Sequence, residues 1–126
     1  MSWTYEIPSG RLLDPTGTLV GKGYSGQPPR TNDATAVGIR NVGPIPPGLW
    51  QAVEMIPETR AHGPFAIRLE PYAETDTLGR SGFMMHGDSS SHPGYASDGC
   101  IIMARLVREE FWASQDHDIL VTTEIP

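Results

Sequence analysis

Turn-forming residues run through the whole of this chain, which contains 14 Gly and 12 Pro among its 126 residues. Proline lacks a backbone N–H and fixes φ, and glycine loses more conformational freedom on folding than any other residue. Both residue types interrupt helices, so their frequency argues against a helical bundle. The chain is expected to fold into short strands joined by many turns.

Alternation of apolar and polar residues locates the strands. Trp3, Tyr5 and Ile7 follow the period of a half-buried strand. Residues 11–13 and 18–24 predict two more strands, which complete an antiparallel meander with the first. Further strands are predicted at residues 49–56, 65–69, 82–86 and 118–125.

One helix and one long loop complete the predicted fold. Residues 104–112 carry apolar side chains at helical spacing, notably Val107 and Phe111, so a helix of about three turns is expected there. Residues 25–48 show no stable period, which is more typical of a functional loop than of a spacer. We therefore predict a single, mostly β domain over residues 1–126 with one α-helix after the only cysteine.

Charge and cysteine content disfavour several classes of protein. The chain carries 15 Asp and Glu against 9 Lys and Arg, a formal net charge of −6, whereas nucleic-acid-binding proteins normally have the opposite balance. No apolar run reaches 18 residues, so no membrane span is expected. Residues 1–6 lack the basic and apolar regions of a secretory signal. Cys100 is the single cysteine, which excludes an internal disulfide and a four-cysteine zinc site.

The segment around Cys100 contains the strongest candidates for catalytic residues. Residues 82–86 predict a strand that ends at His86, and residues 97–100 predict a tight turn that presents Cys100. A nearby imidazole or helix amino terminus lowers the pKa of a thiol, and the thiolate is the nucleophile. The alternative is a buried, unreactive cysteine, since free Cys is among the most buried residue types.

Four segments of the sequence, in a fixed order, resemble one enzyme family. The last of them combines His86-Gly87 with Ser97-x-Gly99-Cys100 and a following aliphatic residue. Together they resemble the L,D-transpeptidases of the YkuD type, in particular a compact branch among type VI secretion effectors. The resemblance runs from about residue 3 to residue 121 and implies a β-sandwich-like L,D-transpeptidase fold. The other three segments are residues 23–26, 41–48 and 79–83.

The resemblance implies a cysteine mechanism on peptidoglycan stem peptides. Cys100 would attack the carbonyl at the L-centre of diaminopimelate and expel D-alanine, with His86 as general base. Water would then release a tripeptide (L,D-carboxypeptidase activity), whereas an amine would give a cross-link or D-amino acid exchange. The backbone N–H groups of Gly99 and Cys100 are the expected oxyanion donors. The resemblance implies neither a metal nor a cofactor.

The sequence departs from the family at two positions that bear on substrate binding. Asp98 stands where many cell-wall L,D-transpeptidases have His, and Ile102 stands where they often have Arg. Arg105, followed by Arg80, is the candidate to bind a substrate carboxylate, because a guanidinium fork suits that planar group. A solvated surface charge is the alternative for both arginines.

The remaining candidates surround these residues. A main-chain carbonyl is an alternative to the side chains that could orient His86, and Tyr24 is equally plausible as a packing aromatic. We interpret His62 and His117 as surface histidines. The candidates to orient His86 are Asp88, Asp98 and Ser97, and the further candidates to line the substrate groove are Tyr24 and Ser81.

Other classes of function stay open at this point. A non-enzymatic wall-binding module would make the order of His86 and Cys100 a coincidence. A phage-borne or housekeeping L,D-transpeptidase would share the chemistry but not the role. A metal site is the third rival, and its ligands would be His86, Asp88, His92 and Cys100. The spacing of these residues fits no short zinc motif.

A wall substrate without an evident secretory signal leaves two alternatives, transport by another apparatus or a leader that this sequence does not include, and we favour the first. We expect an antibacterial effector that a type VI secretion system delivers into the periplasm of a neighbouring cell. Its expected partners are peptidoglycan stem peptides, a carrier in the secretion apparatus and a cognate immunity protein that covers the cleft near Cys100.

Overall fold

A computed structural model describes residues 2–124, in which hydrogen bonding joins nine strands into one sheet. The order across this sheet is β3-β2-β1-β9-β5-β6-β7-β8-β4 when the strands are numbered along the chain. The strands are β1 (Trp3–Glu6), β2 (Arg11–Leu13), β3 (Leu19–Lys22), β4 (Tyr24–Ser25), β5 (Gly48–Thr59), β6 (Gly63–Pro71), β7 (Met84–His86), β8 (Ile101–Ile102) and β9 (Asp118–Thr122). A 3₁₀ turn at Ala34–Ala36 and the helix α1 (Arg105–Ala113) complete the described elements.

The mostly β character and the helix are confirmed for the described residues. The amino-terminal meander is also confirmed, because β2 pairs antiparallel with both β1 and β3. The predicted closing strand ends at Thr122, and its last residue, Ile125, lies outside the described residues, as do Met1 and Pro126. The sandwich-like L,D-transpeptidase fold and the exact domain limits stay predictions.

The predicted strand at 18–24 is divided in two at Gly23. Its first part, β3, pairs with β2, whereas β4 pairs with β8 at the opposite edge of the sheet. A Cβ atom at Gly23 would lie 1.7 Å from the carbonyl oxygen of Ile102, so only glycine permits this approach of the two backbones. The crossing brings residues near Ser25 to the turn that carries Cys100.

Large aromatic side chains fill the core. The Trp3 ring meets Phe111 of α1 edge-on at 5.2 Å, and the Trp50 ring meets Phe83 in the same way at 5.0 Å. All four side chains are buried. Burial of each large apolar side chain contributes about 1.5–3 kcal/mol or more. This packing fixes α1 against β1 through Trp3, and the segment before β7 against β5 through Trp50.

Candidate active site

The parallel pairing of β7 with β8 brings His86 and Cys100 together. His86 is level with Ile102 in this pair, and Met85 is level with Ile101. Because side chains alternate along strands, Cys100, two residues before Ile102, lies on the face that carries His86. Ideal strand spacing and rise, extended by one residue to Cys100, would separate the two Cα atoms by about 8 Å. The register thus juxtaposes two residues that a long loop separates in sequence.

Two buried hydroxyl groups hold the turn that presents Cys100. Ser97 Oγ donates to the Cys100 carbonyl and accepts from the Gly99 N–H at 3.1 Å. It also accepts from the Gly26 N–H at 2.9 Å, and Ser25 Oγ donates to the Gly99 carbonyl at 3.0 Å. Ser97 therefore binds the backbone of this turn, where the sequence offered it as an orienting partner for His86.

Gly99 allows the turn to lie against its neighbours. Its φ of +142° is in the region that residues with a side chain rarely adopt. A Cβ atom there would lie 2.7 Å from Arg80 Nη2. The same Cβ would lie 2.9 Å from Cε1 of Phe83. Glycine is thus required both for the backbone conformation and for the close approach.

The Cys100 thiol is buried, with only 4% of the residue exposed. Its sulfur lies 4.0 Å from the Gly82 carbonyl and accepts a hydrogen bond from the Met84 N–H. Burial raises the pKa of the thiol to about 11, and the Met84 hydrogen bond opposes this shift. The thiol is therefore protonated near neutral pH.

The sequence raised the possibility of a lowered thiol pKa, and the structure has the opposite shift. The helix amino terminus that would lower it is not adjacent to Cys100, because β8 intervenes and α1 begins only at Arg105. Arg80 does lower the pKa of Cys100, but the negative charge of Asp98 raises it, and burial outweighs both. Reactivity of this thiol consequently requires a base at the moment of attack.

His86 is almost fully buried and has a free ring nitrogen. Its Nδ1 lies 2.9 Å from the Gly87 carbonyl, which can only accept, so Nδ1 carries the proton. Nε2 is buried and has no hydrogen-bond partner among residues 2–124. Burial lowers the pKa of His86, and nearby His62 and Arg108 act in the same direction. The imidazole is therefore neutral, with Nε2 able to accept a proton.

The main-chain carbonyl of Gly87, rather than an aspartate, orients His86 in this structure. The Asp88 carboxylate is used elsewhere: it accepts from the Tyr24 hydroxyl at 2.6 Å. The Tyr24 oxygen in turn accepts from the Ala96 N–H at 3.0 Å, and burial together with Asp88 raises the pKa of Tyr24 to about 12. Tyr24 and Asp88 thus brace the loop after β7. Asp98 is exposed at the edge of the site.

His62 is a site residue that the sequence interpretation missed. It lies in the turn between β5 and β6, and its ring centroid is 4.4 Å from that of His86. His62 is half-buried, and its interpretation as a surface histidine did not include this contact with a buried ring. The available signal was the turn His62-Gly63-Pro64 between two predicted strands, but its partner in β7 could not be identified without the sheet order.

Two adjoining recesses flank His62. One, of about 200 Å³, contains Cys100 in its wall, and the other, of about 510 Å³, contains His86. His62 and Asp98 line both, so they stand at the junction. The predicted groove residue Ser81 lines the first recess, whereas Tyr24 lines neither. A thiol, a neutral base and two adjoining recesses are parts that a cysteine acyl-transfer site needs.

Comparison with known families assigns the chain to one of them. A family model described as the Tlde1 domain matches residues 20–123. The chain belongs to the Tlde1 domain family. This is a family of type VI secretion effectors of L,D-transpeptidase-like character, which confirms the predicted effector relationship at family level. No curated protein and no solved structure matches the chain.

Membership of the Tlde1 family also bears on partners. The family points to an antibacterial toxin that acts on peptidoglycan, and to an immunity protein as its partner. No helix within residues 2–124 is long and apolar enough to cross a membrane. Over the same residues, no three His, Cys, Asp or Glu side chains form a group that could hold a metal ion, so the four proposed ligands do not assemble.

The two arginines predicted to bind carboxylate differ in their positions in this Tlde1 domain. Arg105 lies in a separate surface recess, where its Nε donates to Glu109 at 2.7 Å. Its guanidinium also lies 4.9 Å from the ring centroid of Phe65. Arg80 does line the Cys100 recess, but its guanidinium is buried and donates to backbone carbonyls. Those carbonyls are Val37, Gly43, Pro44 and Asp98.

Proposed function

We propose that this Tlde1 domain is a cysteine-dependent enzyme that modifies peptidoglycan tetrapeptide stems, as an L,D-carboxypeptidase, an L,D-transpeptidase or both. The observation that carries the proposal is the placement of a buried thiol beside a neutral imidazole whose Nε2 has no partner. General-base catalysis needs such an acceptor within reach of the proton that it removes. Family membership supports the choice of substrate.

In the first half-reaction, Cys100 becomes acylated. His86 Nε2 takes the thiol proton as the sulfur attacks the carbonyl carbon at the L-centre of diaminopimelate. The tetrahedral intermediate collapses, the C–N bond to D-alanine breaks, and the His86 imidazolium returns the proton to the leaving amine. The products are free D-alanine and a thioester between the stem tripeptide and Cys100.

In the second half-reaction, a nucleophile resolves the thioester. Water, deprotonated by His86, yields a tripeptide with a new carboxylate and restores the thiol. The amine of a D-amino acid, or of another stem, forms an amide instead, and the proton that it loses ends on the thiol. The balance between these outcomes depends on which nucleophile enters the cleft beside His62.

The protonation states imply that no thiolate is present before substrate binds. The pKa of the thiol is raised to about 11 and the pKa of His86 is lowered, so an ion pair of the two is disfavoured at rest. Proton transfer therefore accompanies attack. The Cys100 side chain must turn away from the Gly82 carbonyl, a contact that at 4.0 Å is weak.

The oxyanion needs backbone donors next to the attacked carbonyl. The Gly99 N–H already donates to Ser97 Oγ, which removes one of the two donors expected from the sequence. We assign the Cys100 N–H as the principal donor. One such donor typically contributes about 3 kcal/mol of transition-state stabilisation. The two hydroxyl groups that hold the turn keep this N–H in a fixed position.

The decisive experiment measures products formed from a purified disaccharide tetrapeptide by mass spectrometry. Wild type should release the tripeptide, or exchange D-alanine for an added D-amino acid. Cys100→Ala and His86→Ala should each lose more than about 1,000-fold of this activity. His92→Ala, at an exposed histidine outside both recesses, is the matched control. If wild type and Cys100→Ala leave the tetrapeptide equally intact, a wall-binding module becomes the better interpretation.

We further propose that the protein acts in the periplasm of a target cell after delivery by a type VI secretion system. Expression directed to the periplasm of a sensitive bacterium should then halt growth, whereas expression of Cys100→Ala there should not. Cytoplasmic expression separates the substrate from the enzyme and should be tolerated. Toxicity in the cytoplasm alone would contradict a wall target and the effector role together.

A further inference from the structure

The two arginines of the Cys100 recess differ in how their charge is used. Arg80 is 6% exposed and directs its guanidinium at backbone carbonyls. Arg40 is exposed and lines the same recess. Within residues 2–124, no hydrogen bond or ion pair engages the Arg40 side chain. Arg80 is thus a structural cation, whereas the guanidinium of Arg40 has its donors free.

The backbone that carries Arg40 is held in place. The Gln27 side-chain amide donates to the Asn41 carbonyl at 2.6 Å, directly after Arg40. Arg80 Nη2 donates to the Gly43 carbonyl at 2.9 Å. The turn is therefore tied to two different parts of the chain, and Arg40 projects from a fixed position. With the backbone fixed, only the side-chain torsions of Arg40 must be ordered when the guanidinium binds a ligand.

The charges around the Cys100 recess favour an anion. The charged side chains in its wall are two guanidinium groups and the carboxylate of Asp98, although the whole chain has a net charge of −6. Asn41 and Ser81 add neutral donors, and His62 adds an imidazole. Since Arg80 is occupied by carbonyls, the cation available to a ligand is Arg40.

We infer that Arg40 binds a carboxylate of the substrate beside Cys100, a role that rests on the proposed function. A planar carboxylate matches the guanidinium fork. Two stem carboxylates lie close to the attacked carbonyl: the carboxyl terminus of D-alanine and the carboxylate on the side chain of diaminopimelate. Binding of the first would restrict cleavage to stems that end one residue after the scissile bond. Binding of the second would select diaminopimelate over lysine at the third position.

The test compares three tetrapeptides: the native acid, its carboxyl-terminal amide, and the amide of the diaminopimelate side chain. Wild type should prefer the acid over one of the two amides by roughly 10- to 100-fold in kcat/KM. Arg40→Gln should lose that factor on the acid and keep the wild-type rate on that amide, so the preference falls to about one. Arg40→Lys keeps the positive charge but lacks the guanidinium fork, so it should retain part of the preference for the acid.

Arg68→Gln is the matched control, because Arg68 is an exposed arginine that pairs with Glu54 outside both recesses. It should retain the wild-type preference. Cleavage by Arg40→Gln with an unchanged preference would overturn the inference and leave the enzyme intact. Loss of preference in Arg105→Gln, but not in Arg40→Gln, would also overturn it. If wild type and Cys100→Ala leave all three peptides uncleaved, the proposed function fails and the inference with it.

Discussion

The rings of His62 and His86 lie with their centroids 4.4 Å apart and their planes inclined by 33°. His62 belongs to the turn between β5 and β6, whereas His86 ends β7, so this contact joins parts of the chain that are far apart in sequence. The His62 ring helps to exclude water from the His86 ring. A charge on His62 also disfavours a charge on His86. His62 is therefore a positioning residue that adds to the effect of burial in favouring the neutral base.

Replacement of His62 should change the pH dependence of the enzyme. His62→Ala removes both the cover and the charge, so the pKa of His86 should rise toward its ordinary value of 6.5. A base with a raised pKa is protonated at higher pH, so the acid limb of kcat/KM should move to higher pH. Release of tripeptide, measured between about pH 5 and pH 9, gives this limb. His92→Ala should leave it in place, and an unmoved limb in His62→Ala would show that the contact is merely steric.

The buried thiol should be slow to react with small alkylating reagents. Because burial raises the pKa of Cys100 to about 11, the rate of carbamidomethylation by iodoacetamide should still be rising at about pH 10. The chain has one cysteine, so intact mass reports the reaction directly. The same chain in concentrated urea is the control, and its rate should level off near the ordinary thiol pKa. A folded-state plateau by about pH 8 would mean that a thiolate exists at rest.

Local sequence patterns were sufficient for elements whose burial depends on neighbours along the chain. The predicted strand at 11–13 is β2, and the predicted helix at 104–112 is α1 shifted by one residue. The division of residues 18–24 into β3 and β4 was not predictable, because it depends on pairing with β8, which is distant in sequence. An apolar run shows that a strand forms but not which edge it joins.

The candidate site likewise has residues that the sequence identifies and residues that only the fold reveals. His86 and Cys100 were recognisable as two reactive residue types that flank a turn-rich loop, and their catalytic roles stay predictions. A histidine in a turn and an arginine in a Gly- and Pro-rich loop look like solvated residues in sequence. His62 and Arg40 reach the cleft only through the order of β5, β6 and β7 and through the carbonyls that bind Arg80. Both effects are non-local.

Arg80 should matter for stability rather than for direct substrate contact. Arg80→Met leaves the carbonyls of Gly43 and Pro44 without their donor in a buried site. Unsatisfied buried acceptors of this kind predict a loss of about 2–4 kcal/mol in the free energy of unfolding. Urea denaturation followed by tryptophan fluorescence measures it. Arg40→Met is the matched control and should change stability by less than about 0.5 kcal/mol; equal losses in the two variants would contradict the assigned roles.

Gly99 offers the sharpest separation of backbone strain from crowding, because the chain contains a matched glycine. Gly99 has φ +142° and would place a Cβ 2.7 Å from Arg80 Nη2, whereas Gly94 has φ +89° and nothing within 4 Å of its Cβ position. Gly94→Ala should therefore cost only the strain, about 1 kcal/mol, and keep activity. Gly99→Ala adds overpacking against Arg80 and Phe83, so it should lose about 2–4 kcal/mol of stability.

The activity of Gly99→Ala should fall further than its stability requires. A shift of the turn moves both the Cys100 sulfur and the Cys100 N–H, and small displacements of catalytic groups can cost about 100-fold in rate. The measurement is tripeptide release at a temperature where urea denaturation shows the variant to be folded. Equal stability of the two alanine variants would mean that the turn can move away from Arg80 without cost. Full activity in a folded Gly99→Ala would mean that Cys100 does not depend on this turn for its position.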